Sequence, residues 1–246
     1  MTARDARSTG AETAAVPSFA GRTHLSEFEA KDLVARFGVP TPKRRMVTDG
    51  ASRMAALAEL QPPLAVKLVA SNVLHKSDIG GVRLGIRNAE ALEQAIEAIR
   101  ASATQSGVDI DGFLVEEMAP LGVEVLVGGV LDPVFGPAVV VGLGGVFVEI
   151  FDDIVARICP IAEHEAVAMV HELRAAPLLL GARGKAPVDV AALVRILLAV
   201  GGPDGILMAY ADRIREIDLN PVLVSDQGAV AVDARVILAA EVGNVA

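Results

Sequence analysis

Aromatic residues and cysteine are scarce in this chain of 246 residues. The sequence has no tryptophan, one tyrosine and one cysteine, and aromatic residues make up 3% of it. A single cysteine, Cys159, excludes an intrachain disulfide bond and is compatible with a reducing compartment. Because few rings are available to stack against bases, the composition disfavours a protein that binds single-stranded nucleic acid.

Positive charge and long apolar runs are also limited. Lys plus Arg is 22 and Asp plus Glu is 31, so the formal net charge of −9 argues against a protein that coats nucleic acid or an anionic membrane. The apolar run 137–147 is interrupted by glycine and is shorter than the roughly 20 residues of a spanning helix. Residues 1–22 contain charges and no signal-peptide core, which predicts a flexible tail. We therefore expect a cytoplasmic protein with no nucleic-acid or membrane partner.

Hydrophobic residues make up 52% of the chain, which is enough for a folded protein of one large domain or two lobes. Helical spacing begins at Ser26, which forms an S-x-x-E capping box with Glu29. Strands and helices then follow in a mixed order, so the pattern predicts an α/β chain of the α+β type rather than a Rossmann domain. Strands are predicted at 44–47, 64–69, 82–86, 113–118, 124–131, 137–143, 147–150, 154–158, 214–224 and 229–232, and helices at 26–37, 51–60, 89–103, 163–173 and 188–200.

One charged residue, Lys67, lies in the middle of the apolar strand 64–69. A buried lysine requires a nearby anion, which is either a structural carboxylate or the oxygens of a bound phosphate. The loop that follows contains His75 and ends in Gly80 and Gly81. Glycine lets main-chain N–H groups approach an anion, so this loop is either a polar hairpin or a cover for phosphate groups.

Carboxylates collect at two further places. Glu116 and Glu117 end one predicted strand and Glu124 opens the next, where they are either solvated or accept hydrogen bonds from an amino group or ribose hydroxyls. Strand alternation places Asp218 and Asn220 on one face, together with Glu216, and the turn after them brings Asp233 alongside. Oxygen ligands of this kind suit Mg²⁺ or Mn²⁺; the alternative is the polar outer face of an edge hairpin.

Taken in this order, these motifs resemble the ATP-grasp family, and most closely the ATP-grasp (beta) subunit or domain of the NDP-forming acyl-CoA synthetases, such as ADP-forming acetate–CoA ligase. The segment HKSDIGGV is the most specific. The resemblance implies an ATP-grasp fold of two α/β lobes that clasp nucleotide between their sheets, with lobes at 23–118 and 119–246 after the tail 1–22. It is carried by LSEFEAKDLVARFGVPTPK, LAVKLVASNVLHKSDIGGVRLGI, FLVEEMAPLGVEVLVGG, VGLGGVFVEIFDDIVARICPI and EIDLNPVLV.

The resemblance also implies roles at the nucleotide. Lys67 would contact the α- and β-phosphates, and Gly80 with Gly81 would form the loop over the phosphates. Glu116, with Glu117 next to it, would lie where the hinge meets adenine.

Three roles concern the ribose, the metal and the phosphoryl group. Glu124 would accept the ribose hydroxyls, and His75 resembles a histidine that carries a phosphoryl group during transfer. The implied ligands of Mg²⁺, or Mn²⁺, are Asp218, Asn220 and Asp233.

The activity implied is that of an acid–thiol ligase which uses ATP and releases ADP. Because the chain lacks the family's CoA-binding and ligase regions, we expect a partner subunit in a hetero-oligomer that binds CoA and a small carboxylic acid. Two alternatives stay open, an ATP-grasp carboxylate–amine ligase and a non-catalytic nucleotide-sensing subunit.

Overall fold

A computed structural model describes residues 19–70, 76, 79–144, 153–182 and 186–239. Two antiparallel sheets, each packed on its own hydrophobic core, confirm the expected two-lobe α+β architecture. The strands are β1 (Arg44–Val47), β2 (Leu64–Val69), β3 (Val82–Ile86), β4 (Gly112–Glu117), β5 (Val123–Asp132), β6 (Gly136–Leu143), β7 (Ile154–Ile158), β8 (Ile214–Ser225), β9 (Gly228–Ala231) and β10 (Arg235–Leu238). The helices are α1 (Glu27–Arg36), α2 (Gly50–Glu59), α3 (Ala89–Gln105), α4 (Glu163–Glu172), α5 (Ala176–Leu179), α6 (Val190–Gly201) and α7 (Ile206–Ala209).

The smaller sheet has four strands in the order β1-β4-β2-β3. Helix α3 buries Ile96 and Ile99 in the same cluster as Leu68 of β2 and Val115 of β4. Every residue of β2 is buried, so its second face, which carries Lys67, is also covered. A charged residue on a covered face must find its partners inside the protein.

The larger sheet has six strands, with the path β10-β8-β5-β6-β7 and with β9 paired to β8. Its core contains Val127 of β5, Met169 of α4, and Leu193 and Leu197 of α6. Along β8 the buried and less buried residues alternate around Asp218, as predicted for a strand with one covered face. The opposite face of this sheet therefore carries the polar residues of β8.

Helix α1 begins at the predicted capping box, in which the Ser26 hydroxyl accepts from Glu29 N and the Glu29 carboxylate accepts from Ser26 N. Its apolar stripe, which includes Leu33 and Val34, packs into the larger core. The main chain before it is anchored there as well, because Leu25 N donates to Val236 O. Residues 25–39 thus pack with the lobe that follows them in sequence, not with the lobe 23–118 to which their position alone assigns them.

The last residues of the predicted tail are packed as well. The Phe19 ring lies 5.4 Å from the Tyr210 ring in an edge-to-face contact. Arg22 forms an ion pair with Glu29. The structure thus includes residues 19–22 in the fold, where the composition of 1–22 predicts flexibility.

Three short elements, α5, α7 and β10, are absent from the sequence prediction, since each has only 4 residues and gives no clear period. The predicted strand 147–150 lies outside the described residues.

One stretch, Val190–Ala209, is long and apolar enough to cross a membrane by length and composition, with a mean hydropathy of 1.7. This stretch is longer than the apolar run 137–147 that the sequence analysis names. The stretch comprises α6 and α7, and 61% of it is buried inside the protein. Since the core helices of other folds pass the same test, we interpret it as part of the larger core.

Candidate functional site

The ammonium group of Lys67 lies at the junction of the two sheets. Its Nζ donates to Glu27 Oε1 at 2.8 Å and to the main-chain carbonyl of Val232 at 2.6 Å. It also lies 2.7 Å from Glu116 Oε1. The buried lysine therefore has the anionic partners that the sequence requires, and they are two carboxylates of the chain itself.

Glu27 opens α1, and the sequence pattern did not mark it as a site residue. One of its oxygens, Oε1, lies 2.8 Å from both Lys67 Nζ and Lys31 Nζ. Its other oxygen, Oε2, accepts from Lys76 Nζ at 2.7 Å. The i,i+4 spacing of Glu27 and Lys31 is visible in the sequence, but such pairs are common on exposed helix faces and do not predict burial.

Lys31 is fully buried, and its Nζ donates to Glu116 Oε2 at 2.6 Å. This ion pair joins α1, which packs on the larger core, to β4 of the smaller sheet. Contacts between Glu27 and Lys67 join the same two parts of the molecule. We call this set the lysine–carboxylate cluster; its members are Glu27, Lys31, Lys67, Lys76 and Glu116.

Opposite charges stabilise the ionised forms of Glu27 and Lys67, whereas burial and repulsion by Lys67 lower the pKa of Lys31. Burial by itself raises the pKa of Glu27, but Lys67, Lys31 and Lys76 outweigh it, so the pKa lies well below its ordinary value. Burial lowers the pKa of Lys67, but Glu27, Glu116 and Asp233 outweigh this effect, and the net pKa is raised. Both groups are therefore ionised at neutral pH.

Two further carboxylates, Asp218 and Asp233, lie near the cluster. Burial raises the pKa of Asp218, and repulsion by Glu216 and Asp233 adds to this. Burial also raises the pKa of Asp233, and repulsion by Glu27 adds to it. Among the described ion pairs, the cation that faces Asp218 is Arg235, at 3.5 Å.

A hard cation would relieve these two carboxylates. Asn220 lies on the same face of β8 as Asp218 and is exposed, so its amide oxygen is available as a third donor. Across the described residues no group of three or more His, Cys, Asp or Glu is placed to hold a metal ion. Two carboxylates and an amide oxygen fit Mg²⁺, which keeps several waters as ligands.

The glycine loop closes next to Lys76. Gly81 N donates to Lys76 O at 2.7 Å, and a Cβ added to Gly81 would meet that oxygen at 2.8 Å. Gly80 has a φ of +67°, in the left-handed region that favours glycine. His75, the predicted phosphoryl carrier, lies outside the described residues.

The structure separates the three predicted glutamates. Glu116 has both carboxylate oxygens on lysines, Oε2 on Lys31 and Oε1 on Lys67. Glu117 accepts from Gln61 N at 2.9 Å and is not part of the cluster. Glu124 is exposed on β5, where Val125 and Val127 point into the core, so alternation places it on the face that carries Asp218.

The chain was compared with known proteins. A family model described as an ATP-grasp domain matches residues 18–238. The beta subunit of an ADP-forming acetate–CoA ligase from Pyrococcus furiosus is 40% identical over 216 residues, which cover 87% of this chain and 91% of that subunit.

Solved structures give the same result. Acetyl-coenzyme A synthetase 1 of Ca. Korarchaeum cryptofilum, in complex with coenzyme A and Ca-AMPCP, has a TM-score of 0.84 and 38% identity, covering 89% of this chain and 95% of that chain. Another structure of that synthetase contains Mg-AMPPCP, and its phosphohistidine segment points towards the nucleotide binding site. Its TM-score is 0.76 at 38% identity, covering 89% of this chain and 94% of that one. The range matched by the family model, 18–238, includes both sheets and the residues of the cluster between them.

Proposed function

The chain belongs to the ATP-grasp family, and on that premise we propose that it is the nucleotide-binding, phosphoryl-transferring subunit of an ADP-forming acyl-CoA ligase. The whole reaction is carboxylate + CoA + ATP ⇌ acyl-CoA + ADP + phosphate. The observation that carries this proposal is Lys67, a lysine on the inner face of the smaller sheet that reaches across to Val232 of the larger lobe. A phosphate chain bound there would lie between the two sheets.

Phosphate oxygens would be bound by Lys67 and Lys76, with the loop that ends in Gly80 and Gly81 closing over them. Phosphoryl transfer depends mostly on positioning and charge neutralisation, and ammonium groups in a dry cleft provide both. The contact between Gly81 N and Lys76 O holds the loop close to this lysine. The smaller lobe, centred on residues 44–117, would close on the nucleotide against the larger one.

Glu124 would accept the ribose hydroxyls, since it is exposed and shares its face of the larger sheet with Asp218. The adenine role of Glu116 and Glu117 requires a rearrangement, because both side chains are engaged elsewhere. Asp218, Asn220 and Asp233 would hold Mg²⁺, which when bound neutralises part of the phosphate charge.

His75 would carry the phosphoryl group. A neutral ring nitrogen attacks the γ-phosphorus of ATP, the bond to the β,γ-bridging oxygen breaks, and ADP leaves. In a solved relative, a phosphohistidine segment points towards the nucleotide binding site, which supports this role. Because the relatives of similar length are beta subunits, we propose that acyl phosphate and thioester form on a CoA-binding partner.

Phosphohistidine detection tests this function. The purified chain is incubated with Mg²⁺ and γ-labelled ATP, with and without a CoA-binding subunit of the family. We expect acid-labile, base-stable label on the wild type and none on His75→Ala, while His171→Ala, altered on helix α4 of the larger lobe, is labelled normally. Equal labelling of His75→Ala would exclude His75 as the carrier. ADP release that depends on an amine acceptor instead of CoA would indicate a carboxylate–amine ligase.

A further inference from the structure

Lys67 has no hydrogen-bond donor left for a ligand. An ammonium group has three N–H donors. In Lys67 they meet Glu27, Glu116 and the Val232 carbonyl, at 2.8, 2.7 and 2.6 Å. A phosphate oxygen can therefore reach Lys67 only when one of these contacts breaks.

Of these partners, the Glu27 carboxylate most resembles a bound phosphate group in its surroundings. Its carboxylate is an oxyanion surrounded by three ammonium groups, those of Lys31, Lys67 and Lys76, at 2.8, 2.8 and 2.7 Å. Glu116, in comparison, is shared between Lys67 and Lys31 and has no contact with the glycine loop among the described ion pairs. Among the described ion pairs, Glu27 is the carboxylate that contacts both Lys67 of β2 and Lys76 of the loop.

Charge balance excludes the simple addition of a phosphate. The lysines Lys31, Lys67 and Lys76 face Glu27 and Glu116, with Asp233 next to Lys67. The cluster has three lysines and two glutamates, a net charge of +1 that becomes zero when Asp233 is counted, so the phosphates of a nucleotide would bring excess negative charge to a mostly buried position. Repulsion between its phosphates and the Glu27 carboxylate at close range would be costly in this poorly hydrated position.

We propose that the Glu27 carboxylate is an internal substitute for a phosphate group of the nucleotide. Lys67 and Lys76 break their contacts with Glu27 when they bind phosphate oxygens. This inference rests on the nucleotide site of the proposed function and assigns to Glu27 the control of its affinity. Glu27 keeps the two lysines aligned on one carboxylate until a phosphate group takes its place. The same contacts tie α1 to the smaller sheet, so the exchange also releases one connection between the two cores.

Glu27→Gln tests the exchange. We expect the variant to bind ADP and inorganic phosphate roughly tenfold more tightly than the wild type, because a competing charge has been removed from the lysines. Adenosine, which has no phosphate, should bind both proteins equally. Calorimetric titration with all three ligands measures this, and a merely structural role for Glu27 would weaken ADP and adenosine together.

The matched control is Glu29→Gln, which changes a carboxylate on the same helix that pairs with Arg22 outside the cluster. Its affinity for phosphate should equal that of the wild type. Where Glu27→Gln does not fold, the charge-balanced double variant Glu27→Gln/Lys31→Gln is compared with the wild type and should also bind phosphate more tightly.

Two outcomes are distinguished clearly. If the wild-type protein binds ADP and the Glu27 variants bind it with equal or lower affinity, the proposal that phosphate replaces Glu27 on the lysines is wrong. The proposed nucleotide site would be unaffected by this result. If the wild type binds no adenine nucleotide at all, the proposed function itself fails.

Discussion

The ammonium group of Lys67 is held by two carboxylates in a position that is only 8% exposed to solvent. Replacing it with methionine would leave Glu27 and Glu116 with one cation fewer in a buried setting. We expect Lys67→Met to lower the free energy of unfolding by about 3 kcal/mol, as when one partner of a buried ion pair is removed. Urea denaturation measures this.

Lys67→Met should also remove ADP binding, which calorimetry would show. The control is Lys43→Met, because Lys43 is exposed and its ammonium group donates to the Glu59 carbonyl, outside the cluster. A Lys67→Met protein that binds ADP as the wild type does would show that the phosphates lie elsewhere.

Glu29 makes the stability depend on pH. Hydrogen bonds from Arg22 and Ser26 outweigh partial burial and lower the pKa of Glu29 from 4.5 to about 2. A carboxylate whose pKa is lower in the folded state stabilises the fold fully above its unfolded pKa, and this stabilisation is lost as the pH falls through the folded value. The difference in unfolding free energy between the wild type and Glu29→Gln should be constant near pH 7 and shrink from pH 4.5 towards 2. A difference that does not vary with pH would contradict this account.

Single residues show how far the sequence predicts the site. A lysine in an apolar strand requires an anion, and this was enough to select Lys67. The same reasoning could not select Glu27, because an acidic residue in the first turn is favourable in any helix, where it interacts with the positive end of the helix dipole. Alternation predicts that Glu116 and Glu117 lie on opposite faces of β4, but which face meets Lys67 depends on the pairing with β2.

The glycine loop offers a test of how one element positions another. A Cβ at Gly81 would meet the main-chain oxygen of Lys76 at 2.8 Å, so the loop must shift and carry Lys76 away from the site. We expect Gly81→Ala to weaken ADP binding roughly tenfold, about 1.4 kcal/mol. Gly85→Ala, at a φ of +76° with no atom within 4 Å of the added Cβ, is the control for backbone strain alone. Equal ADP affinities of Gly81→Ala and Gly85→Ala would show that the loop does not contribute to nucleotide binding.

Where Pro, Gly or a capping residue marks the end of a strand or helix, its bounds were predicted to within a residue or two. The strand 64–69 follows Pro62 and Pro63, and its bounds in the structure are those predicted. Elements of four residues, such as β10, were missed because so short a segment has no period of its own. Its residues become a strand by pairing with β8, in the register Arg235↔Asp218.

The assembly of the two lobes was the least predictable feature. Helix α1 precedes every strand of the smaller sheet, yet it packs on the larger core. No local pattern encodes this, because an amphipathic helix specifies a buried face and not the surface that covers it. The consequence is functional, since this packing brings Glu27 and Lys31 to the junction of the sheets.

Binding of nucleotide and metal should stabilise the molecule as a whole. At a concentration of 100 times its Kd, Mg²⁺·ADP adds about 2.7 kcal/mol to the unfolding free energy. Asp218→Asn should remove the part of this stabilisation that needs Mg²⁺. Because burial raises the pKa of Asp218, its charge is unfavourable without a cation, and the ligand-free variant should remain as stable as the wild type. Thermal unfolding with ADP, with and without Mg²⁺, measures both effects; an unchanged Mg²⁺ increment would exclude Asp218 as a ligand.

The most direct measurement is a crystal structure of the chain with Mg²⁺ and a non-hydrolysable ATP analogue. We expect phosphate oxygens within hydrogen-bond distance of Lys67 Nζ, the metal on Asp218 and Asp233, and the Glu27 carboxylate no longer in contact with Lys67. A nucleotide bound away from the junction of the two sheets, with Lys67 still held by Glu27 and Glu116, would contradict it.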